Sequence, residues 1–105
     1  MTTIPPELYL SIKRSHPEVV AAVESLGEIL KREGPIEEKN AQLIQLAAAA
    51  AIRSEGAVHS HTLRALDAGA SAEEIRHALL LLISTIGFPG VMAALSWAED
   101  VIESG

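Results

Sequence analysis

The sequence predicts an all-α domain, a single-domain bundle of about six helices. Three observations carry that prediction. Apolar residues recur at i, i+3 and i+4 along the chain, the period of one helix face. No stretch has the alternating, β-branched pattern of a strand. Glycines and prolines separate the periodic segments at the places where helices start and stop.

The first helical segment follows Pro5-Pro6 and runs from Glu7 to Arg14, with Leu8, Tyr9 and Ile12 as its apolar stripe. His16-Pro17 interrupts it, because the residue before a proline is pushed out of the helical region. Pro17 then suits the first position of a second helix, with Ser15 or His16 as cap, running to about Glu33. Its stripe is Val20, Ala22, Val23, Leu26, Ile29 and Leu30, and Gly34-Pro35 ends it. A third helix spans about Ile36 to Arg53, with Glu37 and Glu38 near the positive end of its dipole. Five consecutive alanines, Ala47 to Ala51, let neighbouring helices approach it closely and favour the helical state. Ser54-Glu55-Gly56 reads as a kink or break, and a fourth helix spans about Ala57 to Ala68, stopped by Gly69. Ser71 with Glu74 three residues later is a capping box. The helix it opens is expected to run to Ile86 and, being apolar all round in its second half, to be buried on several sides. Gly87-Phe88-Pro89-Gly90 reads as a turn before a last helix, Val91 to Ile102.

The chain has 105 residues, which suits one domain, 1–105, with N-terminal helices over 6–33 and a core over 36–103. Eight Lys+Arg stand against 14 Asp+Glu, for a net charge of −6. That balance, with no basic cluster, argues against binding nucleic acid, whose phosphates need Lys and Arg. No cysteine is present, so disulfides, zinc–thiolate sites and thiol catalysis are excluded. The longest apolar runs, around Ala47–Ile52 and Ala78–Ile83, fall far short of the roughly 20 residues a spanning helix needs. No signal peptide is visible at the N-terminus, so a cytoplasmic protein that does not act at a membrane is expected. The chain is 49% apolar with a mean hydropathy of +0.26. So short a chain hides that much aliphatic surface most simply by forming an oligomer.

Candidate chemistry centres on four histidines, His16, His59, His61 and His77. His59 and His61 are two residues apart and point about 160° apart on a helix, so they do not chelate one metal together. No Glu-x-x-His pair is present, which removes a ferritin-like di-iron site, and no metal or other cofactor is expected. Glu55 and His59 are four apart and interact only if the helix already includes Glu55. Ser54, Ala57 and His61 share one face at spacings i, i+3 and i+7, with Gln42 one long helical stretch earlier. A hydroxyl and an imidazole on one face suit a nucleophile and base. A polar His61 hydrogen-bonded in a seam between helices suits the same spacing, and the residues by themselves leave both readings open.

Four stretches, taken in order, resemble one family. They are Gln42-Leu43-Ile44-Gln45-Leu46-Ala47, His61 to Ser71 (HTLRALDAGAS), and Glu73-Glu74-Ile75 followed by Ile86-Gly87-Phe88-Pro89-Gly90. In order and spacing, Glu37 to Trp97 resembles the carboxymuconolactone decarboxylase family, which also contains the alkylhydroperoxidase D-like proteins. The resemblance implies an all-helical fold and single-domain chains assembled as homotrimers or homohexamers. It also implies an active site near a subunit interface, around His61. The peroxidase branch has a Cys-x-x-Cys pair where this chain has Ser54 and Ala57, and a glutamate where it has Gln42. Serine cannot cycle through a disulfide, so thiol-dependent peroxide reduction is not expected. The decarboxylase branch needs neither the cysteine pair nor a cofactor and acts on a small lactone carboxylate. By that resemblance His61 is the acid/base group, Ser54 and Gln42 complete the catalytic set, and Arg53, Arg64 and His59 bind the substrate. A catalytically silent oligomer that binds a ligand or acts as a scaffold is the alternative.

Overall fold

A computed structural model describes residues 6–104 of the chain. The helices in order are α1 (Pro6–Ser15), α2 (Pro17–Arg32), α3 (Glu38–Ala51), α4 (Glu55–Asp67), α5 (Ala72–Leu80), α6 (Ile83–Ile86) and α7 (Phe88–Ser104). No strand occurs among the described residues. The expectation placed on Pro5 lies outside them.

α3 and α4 form the central antiparallel pair, α7 lies across α4 and α5, and α1 packs mainly on α2. The core joins Leu46, Ala49 and Ala50 of α3 to Val58 and Ala65 of α4, Ile75 and Leu79 of α5, and Ala94 and Ala98 of α7. Five of these nine side chains are alanine, so the helix axes must come close for the core to reach normal packing density. The alanine run therefore works within the chain, through Ala49 and Ala50, while Ala48 and Ala51 stay exposed.

Several helix ends follow the local chemistry of the sequence. Ser71 Oγ accepts from the Glu74 amide at 3.0 Å while Glu74 Oε1 accepts from the Ser71 amide at 2.9 Å, completing the capping box. Gly69 has φ +100° and closes α4 in a Schellman motif, with Ala70 N bonded to Ala65 O and Gly69 N to Leu66 O. α3 ends in the same motif, with Ser54 N bonded to Ala49 O and Arg53 N to Ala50 O, but the left-handed residue is Arg53 at φ +57°. A side chain at such a position is disfavoured relative to glycine.

Several boundaries differ from the sequence expectation. The third helix starts at Glu38 rather than Ile36. α4 begins at Glu55, two residues early, because Ser54 caps it by accepting from the Ala57 amide at 3.3 Å. The long helix expected from Ser71 to Ile86 divides at Leu81-Leu82, where bonding tightens to i−3 (Leu82 N to Leu79 O, 3.1 Å). It is also not buried on several sides: Leu81 is 63% exposed and Leu80 44%. The expected turn Gly87–Gly90 shrinks to Gly87, at φ +92°. α7 starts immediately after it, since a proline in the first helical turn removes no helix hydrogen bond.

Much aliphatic surface stays uncovered within one chain. Val19, Val23, Leu26 and Leu30 of α2 are exposed, as are Ile52, Leu81 and Phe88. No helix among the described residues is long and apolar enough to cross a membrane.

Candidate active site

α3 and α4 bring Gln42 and His61 together. Gln42 is fully buried on α3, and its Oε1 lies 2.8 Å from His61 Nδ1. One turn earlier on the same helix, Glu38 Oε2 accepts from Gln42 Nε2 at 2.8 Å. Lys31, at the end of α2, lies 3.2 Å from Glu38 Oε2. The chain Lys31–Glu38–Gln42–His61 has only one consistent polarity. A carboxylate accepts, so the Gln42 amide must turn its NH2 toward Glu38 and its oxygen toward His61. His61 Nδ1 must then carry the hydrogen, which leaves Nε2 as the nitrogen that takes up or releases a proton.

His61 lines a cavity of about 700 Å³ between the N-terminal hairpin and the α3–α4 pair, within the range of small-molecule pockets. Val19, Val20 and Val23 of α2 form its apolar wall, and Tyr9 and Ile12 close it from α1. Gln45, Arg64 and Lys31 supply polar groups, and Glu24 and Glu28 line the α2 side. Glu24 is engaged by the Tyr9 hydroxyl, which donates to its Oε2, and by Lys13 at 3.6 Å. That hydrogen bond holds the Glu24 carboxyl below its ordinary range and raises the Tyr9 phenol. Gln45 Oε1 is buried without a hydrogen-bond partner; a bound molecule that donates to it would satisfy it.

Burial depresses the pKa of His61 below its ordinary value of 6.5, and the positive charges of Arg64 and Lys31 add to the effect. A desolvated imidazole next to two cations favours its neutral form. Neutral His61 with a free Nε2 lone pair has the form a general base needs at neutral pH.

The residues singled out in the sequence divide into two groups. His61 and Arg64 line the cavity, and Gln42 stands behind His61, buried and bonded to its ring. Ser54, Arg53 and His59 do not line it. Ser54 is the cap of α4, and its oxygen is occupied by the Ala57 amide. The Arg53 guanidinium packs over Gly90 of α7, with Nη2 3.5 Å from where a Cβ would stand. His59 turns to the other side of α4, where its Nε2 lies 3.1 Å from Asp100 Oδ2. The 160° divergence of His59 and His61 is thus realised: one faces α7 and the other α3. Sequence reasoning missed Glu38, Lys31 and Gln45. Glu38 had a signal, four residues before Gln42 on the same helix face. Lys31 had none, because it comes from another helix.

A sequence model described as the carboxymuconolactone decarboxylase family matches residues 17–100. The chain belongs to the carboxymuconolactone decarboxylase family. The match begins at Pro17, so it includes α2, which lies ahead of the stretches that carry the resemblance. No curated protein matches the sequence significantly. Among solved structures, the chain is similar to the apo form of a carboxymuconolactone decarboxylase family protein from Legionella pneumophila. The TM-score is 0.79 and the identity 24%, over 90% of this chain and 85% of that one. At that identity the likeness speaks for the fold: this carboxymuconolactone decarboxylase family member has the family's helical architecture.

Proposed function

We propose that this family member is a cofactor-free acid/base enzyme acting on a small carboxylated lactone, by decarboxylation or proton transfer. The observation that carries the reading is the ordered chain Glu38–Gln42–His61, ending at a cavity wall on an imidazole held in its basic form. Gln42 fixes the ring and tautomer but cannot accept the proton, so His61 both takes it and returns it. Arg64 and Lys31 offer charge to a substrate carboxylate, and the valine wall of α2 suits the apolar part of a small ring. Thiol-dependent peroxide reduction has no place here, since the chain has no cysteine.

The test is steady-state turnover of carboxylated lactones, followed by CO2 release, across a pH series. The acid limb of kcat/KM is expected below pH 6.5, because His61 is depressed in the folded protein. Arg64→Gln should move that limb up towards 6.5. Stability follows the same linkage. It is complete above pH 6.5 and declines as pH falls towards the lower folded value, because the unfolded chain takes up the proton first. A limb above 6.5 would remove His61 from the role of base.

A catalytically silent ligand-binding oligomer is the second reading, favoured by an amide at position 42 where the peroxidase branch resembled above has a carboxylate. Saturable lactone binding with no turnover would select it. Either reading places the protein in a homotrimer or homohexamer. The exposed faces of α2 and of Leu80–Ile83 supply the apolar surface such contacts need. Light scattering at micromolar concentration should give three or six times the chain mass, and a monomer would contradict the assembly.

A further inference from the structure

On the face of α4 opposite His61, three ligand-type side chains converge. Glu55 and His59 stand one turn apart on α4, and Asp100 reaches them from α7. One ligand atom from each lies within 4.8 Å of the others, and His59 Nε2 is 3.1 Å from Asp100 Oδ2. The His59 side chain is only 11% exposed, while the Asp100 side chain is 37% exposed. The group is therefore rooted in the α4–α7 seam with an open outer side.

We propose that Glu55, His59 and Asp100 form a binding site for a divalent first-row metal ion, with zinc(II) the best fit. The donor set is one imidazole nitrogen and two carboxylates, which suits zinc and is too nitrogen-rich for magnesium. Ligands at about 2.1 Å from a tetrahedral ion stand about 3.4 Å apart. Small rotations of the two partly exposed carboxylates close the gap from the present spacing. Three protein ligands leave a fourth position for water or an exogenous group. Electrostatics points the same way. Among the described residues no lysine or arginine pairs with Glu55 or Asp100. Two neighbouring carboxylates thus share the cluster with one imidazole and no paired lysine or arginine. A dication neutralises them and clamps α4, the helix that carries His61, to α7. The site is independent of the lactone chemistry, because none of its residues lines the His61 cavity.

The test is calorimetric titration of the full chain, stripped with chelator and desalted, with zinc chloride, manganese chloride and magnesium chloride in separate runs. One zinc ion per chain is expected, with manganese weaker and magnesium weakest. Asp100→Asn and Glu55→Gln should each weaken zinc binding by about tenfold or more, whereas His61→Gln should not. Zinc should also raise the melting temperature of the unmodified chain and not that of Asp100→Asn. Asn and Gln nearly preserve side-chain size, and circular dichroism checks that each variant is folded. No saturable zinc binding would overturn the proposal. So would binding that survives both carboxylate variants, since the ion would then sit on other histidines.

Discussion

His61→Gln is expected to lower turnover of a carboxylated lactone by about 10²–10⁴-fold, the usual loss when a positioned acid/base group is removed. Glutamine is an informative replacement. Its amide can still donate a hydrogen bond to Gln42 Oε1, so the polar seam between α3 and α4 stays partnered, but it has no nitrogen that titrates near neutrality. Loss of kcat with an unchanged helical circular dichroism spectrum would isolate the proton-transfer role. The remaining activity should also lose its acid limb, because the group responsible is gone. A purely structural His61 predicts the opposite pattern, with lowered stability and an intact pH profile. Full activity in the variant would place the base elsewhere.

Leu46→Ala should destabilise the fold by about 2–5 kcal/mol, towards the upper end. Leu46 is fully buried at the centre of α3. Its cluster is rich in alanine, with Ala49, Ala50, Ala65, Ala94 and Ala98 around it. Short side chains cannot swing in to fill a void, so closing it requires whole helices to move. For a domain whose total stability is of the order of 5–15 kcal/mol, that loss is a large share. Denaturant melts should show it as a lower midpoint with an unchanged slope. The effect should reach the site as well. Gln42 stands one turn before Leu46 on the same face, so a loosened α3 also loosens the contact that orients His61. A cost below about 1 kcal/mol would mean that the helices collapse around the void more freely than an alanine-rich core allows.

The fold was legible wherever a local rule acts on neighbouring residues. Ser71 and Glu74 form the expected box, Gly69 takes the left-handed position, and Pro17 opens its helix, because each depends on atoms within one turn. Reading failed where two local rules compete. Ser54-Glu55-Gly56 holds a cap, an acid and a glycine, and only the Ser54 hydroxyl's bond to Ala57 decides that α4 starts at Glu55. The leucine run after Leu79 has no local stop signal, so its slip to i−3 bonding could not be read from the residues.

The candidate site divides along the same line. The residues placed His61 on one helix and Gln42 on the one before it, and the structure brings these two side chains within 2.8 Å, with His61 and Arg64 lining one cavity. Ser54, on the same nominal face as His61, is spent as a cap. His59 lies near in sequence but leaves the cavity, because 100° of helical rotation per residue separates neighbours faster than distance along the chain does, and Arg53 lies in the connection between α3 and α4, over Gly90.

The sequence by itself determined an all-helical chain, the helix ends marked by a cap, a proline or a glycine such as Ser71, Pro17 and Gly69, the absence of thiol chemistry and the family. The first three rest on composition or on contacts within one turn, and the family on the order and spacing of its motifs. Only the tertiary structure decided that Glu38, Gln42 and His61 form one ordered chain beside Lys31, and that Asp100 joins Glu55 and His59. Both groupings join side chains from different helices. The packing of α4 against α3, and of α7 across α4, sets the distances to His61 and to Asp100, and no local pattern encodes a separation between helices.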